Sequence, residues 1–371
     1  MAIQAFIITL LAVAVSCQHD PALCVARDDY KLTLSGNVEF PVDTGALFAP
    51  TAIYRYEGPG DSSFLVIDNP KLNRIDIYNV ESRSLYRRMQ LESDGPNGIK
   101  PQISSYYFHS PDSIFLFFNI LQQLVLIDGQ GNIQARHKLL TQPWSEANEI
   151  PTAQVYGGMV PFIRNNKMYL CSYGLAFSGG KAGLVYDLDG GGTFFPYSPP
   201  EIYSEGWWSG LIYDRFSQAV NDDHNLVVLS YGADKFLWVI DERGNIVPKC
   251  AKSRYLPDQL KPYSKERMNF DQHYLDLWRH EALQGGYSSV IYDKWRHVYY
   301  RIAFKPVPES AYTSPNQVWD NPVVVILDRD FRIVGESELP AGYLFTLYYV
   351  SPEGIFFYNR YAYENEDDDH F

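Results

Sequence analysis

The sequence predicts an all-β fold, a six-bladed β-propeller, and three observations carry that expectation. An apolar run that ends in an acidic or amide residue before a tight turn recurs at Tyr78-Asn79, Leu124 to Asp128, Val185 to Asp187, Leu237 to Asp241 and Ile326 to Asp328, with a period of about fifty residues. Two copies share the same turn, Gly131-Asn132-Ile133 and Gly244-Asn245-Ile246. The composition, 46% hydrophobic and 15% aromatic with 20% charged residues, suits pleated, half-buried strands. Strands repeating at this interval stack as blades around an axis.

From the N-terminus, Ala5–Val15 is an apolar stretch broken only by Thr9, too short to span a bilayer. Residues 1–16 read as a lipoprotein signal peptide, because Ala14-Val15-Ser16 places small residues before Cys17, the expected lipidation site. No Lys or Arg precedes the run, which leaves an upstream start open, and an ordinary secretory signal is the alternative. Residues 17–29 form a tether, and 30–371 a single propeller domain. The hairpin Tyr30–Val42 carries Gly36-Asn37-Val38, similar to the two Gly-Asn-Ile turns, and lacks inner strands of its own. The C-terminal pair Tyr343–Tyr349 and Gly354–Tyr358 lacks outer strands, so the N-terminal hairpin is expected to complete the last blade. Six blades follow, with seven as the alternative.

The second strands, such as Phe64–Ile67, Ile114–Phe117, Leu226–Leu229 and Val298–Tyr300, are near-continuous apolar runs of the kind buried on both faces. The long interval before Asp328 contains an insertion, residues 253–285, in which Asp271–Gln284 has helical character. It is expected to lie across one propeller face, with the loop Lys305–Asn321 beside it. Cys24, Cys171 and Cys250 show no metal-ligand spacing and imply no disulfide framework. Cys171 and Cys250 read as packed small hydrophobes.

The lipobox, Asp94-Gly95-Pro96-Asn97-Gly98-Ile99, Asp112-Ser113-Ile114, Ile291-Tyr292-Asp293-Lys294 and Val298-Tyr299-Tyr300-Arg301 together resemble a Bacteroidetes-type family of propeller lipoproteins classed as a domain of unknown function. The resemblance implies a cell-envelope propeller and supplies no catalytic residues.

The net charge of −13 repels phosphate backbones, so nucleic acid is not an expected partner. Phosphate-loop and nucleophile-elbow motifs are absent. His280-Glu281 begins a zincin-like motif that fails at Gln284, although His273, Asp276 and His280 share one helical face at metal-ligand spacing. Asn69, Asn119 and Asn359 end second strands, where an amide binds a ligand or caps the backbone. Aromatics next to glycines mark the blade-to-blade connections: Tyr156 in Val155–Gly158, Trp207-Trp208 after Glu205, and Tyr287. Adjacent Trp residues point to opposite strand faces, which predicts one exposed ring. The expected ligand-binding set is Asn97, Tyr156, Glu205, Trp207, Trp208, Tyr287 and Arg301, with no catalytic residue, metal or cofactor. The expected function is noncatalytic binding of a peptide, glycan or envelope protein on the loop-rich face, in the bacterial envelope, lipid-anchored after export across the inner membrane. The alternative is a metal-assisted propeller hydrolase acting on a lactone, ester or glycan, with Glu205, Asn97 and the three strand-end amides around the channel.

Overall fold

The computed structural model describes residues 24, 27–42, 50–99, 103–140, 152–175 and 180–359. Residues 1–16, expected as a signal peptide, and Cys17, the expected lipidation site, lie outside them. Among the described residues five complete blades form, each an antiparallel meander. Blade one is β1 (Ile53–Glu57), β2 (Ser63–Asn69), β3 (Arg74–Asn79) and β4 (Ser84–Gln90). Blade two is β5 (Ser105–Ser110), β6 (Ser113–Phe118), β7 (Gln123–Ile127) and β8 (Ile133–Lys138). Blade three has a divided inner strand: β9 (Thr152–Gln154) and β10 (Phe162–Arg164) both pair with β11 (Lys167–Tyr173), followed by β12 (Leu184–Asp187) and β13 (Thr193–Phe194). Blade four is β14 (Phe216–Asn221), β15 (Leu226–Tyr231), β16 (Phe236–Ile240) and β17 (Ile246–Cys250). Blade five is β18 (Gly286–Asp293), β19 (Val298–Phe304), β20 (Pro322–Leu327) and β21 (Ile333–Glu338). A two-stranded sheet, β22 (Tyr343–Val350) and β23 (Ile355–Asn359), follows.

The second strands are buried as their apolar runs require: β2 and β19 are buried along their whole length. The repeated turn also has a physical basis. Asp128 Oδ1 accepts from the backbone N–H of Gln130 and Asn132, both at 2.9 Å, while Gly131 takes φ +87°. Asp241 repeats this with Arg243 (2.9 Å) and Asn245 (2.8 Å), and Asp328 with Asp330 and Arg332, both at 2.9 Å. The carboxylate substitutes for backbone acceptors and sets the hairpin.

The expectation of six complete blades is corrected here. Tyr30–Val42 forms no strand. In the Asp-x-x-Gly-Asn turns the acidic residue stands three positions before glycine, and that position before Gly36 is Thr33, so the N-terminal turn lacks its carboxylate acceptor. The segment instead acts as a strap. Arg27 and Asp29 donate to Ile333 O and Val334 O (3.2 and 3.0 Å) along β21, and Phe40 is buried among Leu65, Tyr78, Leu347 and Tyr358. The middle is solvated, with Leu34 68% exposed.

The disulfide expectation is corrected as well. Cys24 bonds to Cys250 at the end of β17, with Cα atoms 5.4 Å apart. Cys171 is buried and free. Arg254 reinforces the tie, bridging Asp28 and the buried Glu336. Closing a loop across 226 positions restricts the unfolded chain by up to about 5 kcal/mol. Reduction, or Cys24→Ser, is therefore expected to lower the urea midpoint of the purified domain substantially, and an unchanged midpoint would show that the strap contributes nothing to stability.

Candidate functional site

The axis is the first place to look for a site in a propeller, and here the chain itself occupies it. Residues 155–161, between β9 and β10, reach blades on the far side of the ring. Gly157 N–H donates to Thr51 O before β1 at 3.1 Å, and Ser217 Oγ of β14 donates to Gly158 O at 2.8 Å. A Cβ on Gly157 would stand 2.7 Å from Thr346 of β22, and one on Gly158 would collide with Ser289 of β18. Only glycine fits this double approach, and Gly157 also has φ +48°. Register shifts in β18 and β22 fall at these same contacts, so the inner strands bulge around the segment. Gly158→Val is expected to cost several kcal/mol or abolish folding, checked by thermal unfolding; a wild-type melting temperature would refute the axial packing.

The insertion between β17 and β18 carries the helix α1 at Phe270–Gln284 and packs against the segment before β14. Its anchor is Glu281, which is fully buried and accepts from the backbone N–H groups of Leu211 (2.6 Å), Ile212 (2.9 Å) and Tyr213 (2.8 Å). Burial pushes its carboxyl up to about 7 despite these three donors. Near the axis, burial likewise raises Asp68 to about 6, although Thr51 donates to it from both backbone and hydroxyl at 2.7 Å.

The insertion has a consequence for the tryptophan pair. Trp207 and Trp208 are 2% and 1% exposed, which corrects the expectation of one exposed ring. The pair lies in no strand, and both rings are covered: Trp207 packs on Tyr263 of the insertion, and Trp208 on Tyr203 and Tyr213, with its Nε1–H donating to Ile202 O at 2.7 Å. Tyr287 is also buried, beneath the Arg301 guanidinium at 3.7 Å from its ring centre. Arg301 donates to Ser230 Oγ and to the carbonyls of Tyr231, Asp234, Lys235 and Ala251, so its donors are spent inside blade four. Burial lowers it to about 10.

Glu205 and Tyr287 do meet, at a pocket of about 320 Å³ between the insertion and blade four. Asp234, Phe236, Trp238 and Gln259 also line it. Gln259 Nε2 donates to exposed Glu205 at 3.0 Å. Asp234 accepts from Trp238 Nε1 at 2.7 Å and from Phe236 N–H at 3.2 Å, and burial raises its carboxyl. The other expected residues lie elsewhere. Tyr156 is 49% exposed on the axial segment, and Asn97 bonds Asn132 and Ile133 at the β7–β8 turn on the outer edge of blade two. Asn69 caps its strand end, accepting from Leu72 N–H at 3.2 Å. His280 is held by Lys261 O and Gln284, and among the described residues no three His, Cys, Asp or Glu side chains gather as a metal set. The repeated Ser230-Tyr231-Gly232 points to the end of β15, but nothing in it marks Asp234 or Trp238 as pocket residues.

The family model for DUF4221, a domain of unknown function, matches residues 29–338. The chain belongs to that family. The structure is similar to a DUF4221 member from Bacteroides vulgatus, with 21% identity over 92% of this chain and 96% of that one and a TM-score of 0.76, which shows the shared propeller fold. It is also similar to virginiamycin B lyase from Staphylococcus aureus (13% identity, 87% and 96% covered, TM-score 0.44). A candidate exported protein from Bacteroides fragilis is a further neighbour (10% identity, 82% and 75% covered, TM-score 0.49). These last two likenesses are too distant to bear on activity. No curated protein sequence matches the chain. Among the described residues no helix is long and apolar enough to cross a membrane.

Glu281 supplies a pH test of the insertion anchor. Its pKa is higher folded than unfolded, so the stability it contributes is present at low pH and lost as pH rises from about 4.5 through about 7. His137 and His280, lowered by burial, act with the opposite sign, so the difference between variants isolates the carboxyl. Relative to Glu281→Gln, the wild type should lose on the order of 3 kcal/mol across that window, read from urea midpoints. Parallel pH profiles would remove Glu281 from this role.

Proposed function

We propose that this DUF4221 propeller is a noncatalytic binding protein of the bacterial envelope that holds a glycan in the pocket between its insertion and blade four. The supporting observation is the pocket lining. Phe236 and Trp238 offer broad apolar ring surface, while Glu205 and Gln259 offer exposed acceptors and a donor suited to sugar hydroxyls. Asp234, the buried acid, has both oxygens engaged by Phe236 and Trp238, which suits it to shaping the pocket and not to proton transfer. Export and lipid attachment at Cys17 remain part of the proposal and rest on Ala5–Val15 and Ala14-Val15-Ser16-Cys17.

A glycan array probed with the purified domain, followed by calorimetry on the strongest binder, tests the reading. Glu205→Ala and Gln259→Ala are expected to weaken binding by about tenfold each with unchanged melting temperature, about 1.4 kcal/mol per variant. Failure of every glycan to bind, or binding that is indifferent to both substitutions, rejects the pocket as the site.

A further inference from the structure

Charge is unevenly placed around the pocket between the insertion and blade four. Glu201, Glu205, Asp234 and Asp258 line it, against a single amine, Lys235. Two of these acids are already engaged. Asp234 accepts from Phe236 N–H and Trp238 Nε1–H, and Asp258 is paired with Lys252, whose hydrogen bond, with a weaker pull from Lys235, holds its carboxyl below the ordinary range. Lys235 itself lies over Phe236, its Nζ 5.6 Å from the ring centre. Glu201 and Glu205 belong to a different element, the short turn Glu201–Ser204 and the residue that caps it. Both are exposed, the Glu205 carboxylate accepts from the neutral Gln259 amide, and among the described residues neither enters an ion pair. The pocket therefore combines aromatic wall with two carboxylates that no cation offsets.

We infer, on the basis of the glycan reading, that the sugar held here is an amino sugar whose nitrogen is not acetylated, with its protonated amine bound by Glu201 and Glu205. A pyranose ring with an amine substituent brings an apolar C–H face and a cation on one rigid unit, which matches a wall of Phe236 and Trp238 beside two carboxylates. Hydrogen bonds between ammonium and carboxylate are about twice as strong as those between neutral groups, so the amine, more than the hydroxyls, selects the ligand. A lysine side chain of a peptide carries the charge without the ring face, and fixing its flexible stem costs rotamer freedom. A hard cation is poorly served. Calcium takes about six to eight oxygen ligands, and among the described residues no third His, Cys, Asp or Glu completes a metal set with this pair. The net charge of −13 adds a longer-range attraction for a cationic sugar and repels acidic ones.

The test is calorimetry on the whole protein, at a pH where the amines are protonated, with the tetrasaccharides of glucosamine, N-acetylglucosamine and glucose in one common linkage. The glucosamine form is expected to bind about tenfold more tightly than either neutral form. Glu201→Gln and Glu205→Gln keep side-chain shape and hydrogen bonding while removing the charge. Each should lower glucosamine affinity by about threefold, and the two together should bring it level with the neutral sugars, whose affinities and the melting temperature stay unchanged. Neutral sugars that match glucosamine, or a glucosamine advantage that survives the double variant, overturn the amine assignment. If glucosamine fails to bind while a neutral glycan binds and is lost in Glu205→Ala, only the amine assignment falls; if no glycan binds at all, the glycan reading falls with it. A tetralysine peptide that binds as tightly as the glucosamine form, with the same loss in the double variant, also overturns the assignment, because the pocket would then read charge without the sugar ring.

Discussion

Ring closure between blade five and blade one is the constraint on which the rest of the molecule depends. A propeller keeps the apolar faces of its sheets dry only if every sheet has a neighbour on both sides. Among the described residues the closing sheet has two strands, β22 and β23. The strap is held to the ring at three points. Cys24 is bonded to β17, the backbone of Arg27 and Asp29 runs along β21, and Phe40 is packed between β2, β22 and β23. Burying a phenylalanine ring of this kind contributes about 2 to 3 kcal/mol, so Phe40 is a substantial part of the seal.

The same economy of space moves the candidate site off the axis. The Tyr156-Gly157-Gly158 turn reaches Thr51, Ser217, Ser289 and Thr346, which belong to four other sheets or their approaches. Inner strands that bulge around this segment leave it as the link between opposite sides of the ring. Function then has to be sought where covering elements meet blades. The insertion meets blade four at the pocket around Trp238.

Glu281 shows how the insertion is fixed in place. A carboxyl group with three backbone donors replaces water for the start of the segment before β14, and the close approach requires Gly210, whose Cβ would collide with the Glu281 carboxyl. With α1 anchored, Tyr263 lies over Trp207, and a pair of aromatics that would otherwise be presented to solvent becomes core. Tyr287 and Arg301 are drawn into the same layer, since Arg301 finds its acceptors among carbonyls at the end of β15 and around β17.

Local chemistry was legible in the sequence because it acts over a few residues. The apolar second strands, the Asp-Gly-Asn turns, the helix near Asp271–Gln284 and the position of the insertion follow from patterns within one hairpin or one helix, and all appear in the structure. Thr33, which stands where the other Gly-Asn turns carry Asp, likewise marks the N-terminal turn as different within a few residues. Burial and pairing were decided only by tertiary structure. Whether Trp207 faces water depends on a segment more than fifty residues away, the Cys24–Cys250 bond joins opposite ends of a long loop, and Glu205 comes to line one pocket with Trp238 only after blade four and the insertion are in place. Hydrogen-bonding pattern and strand period belong to neighbours along the chain, whereas solvent exposure belongs to neighbours in space, and a single sequence reports the first directly and the second not at all.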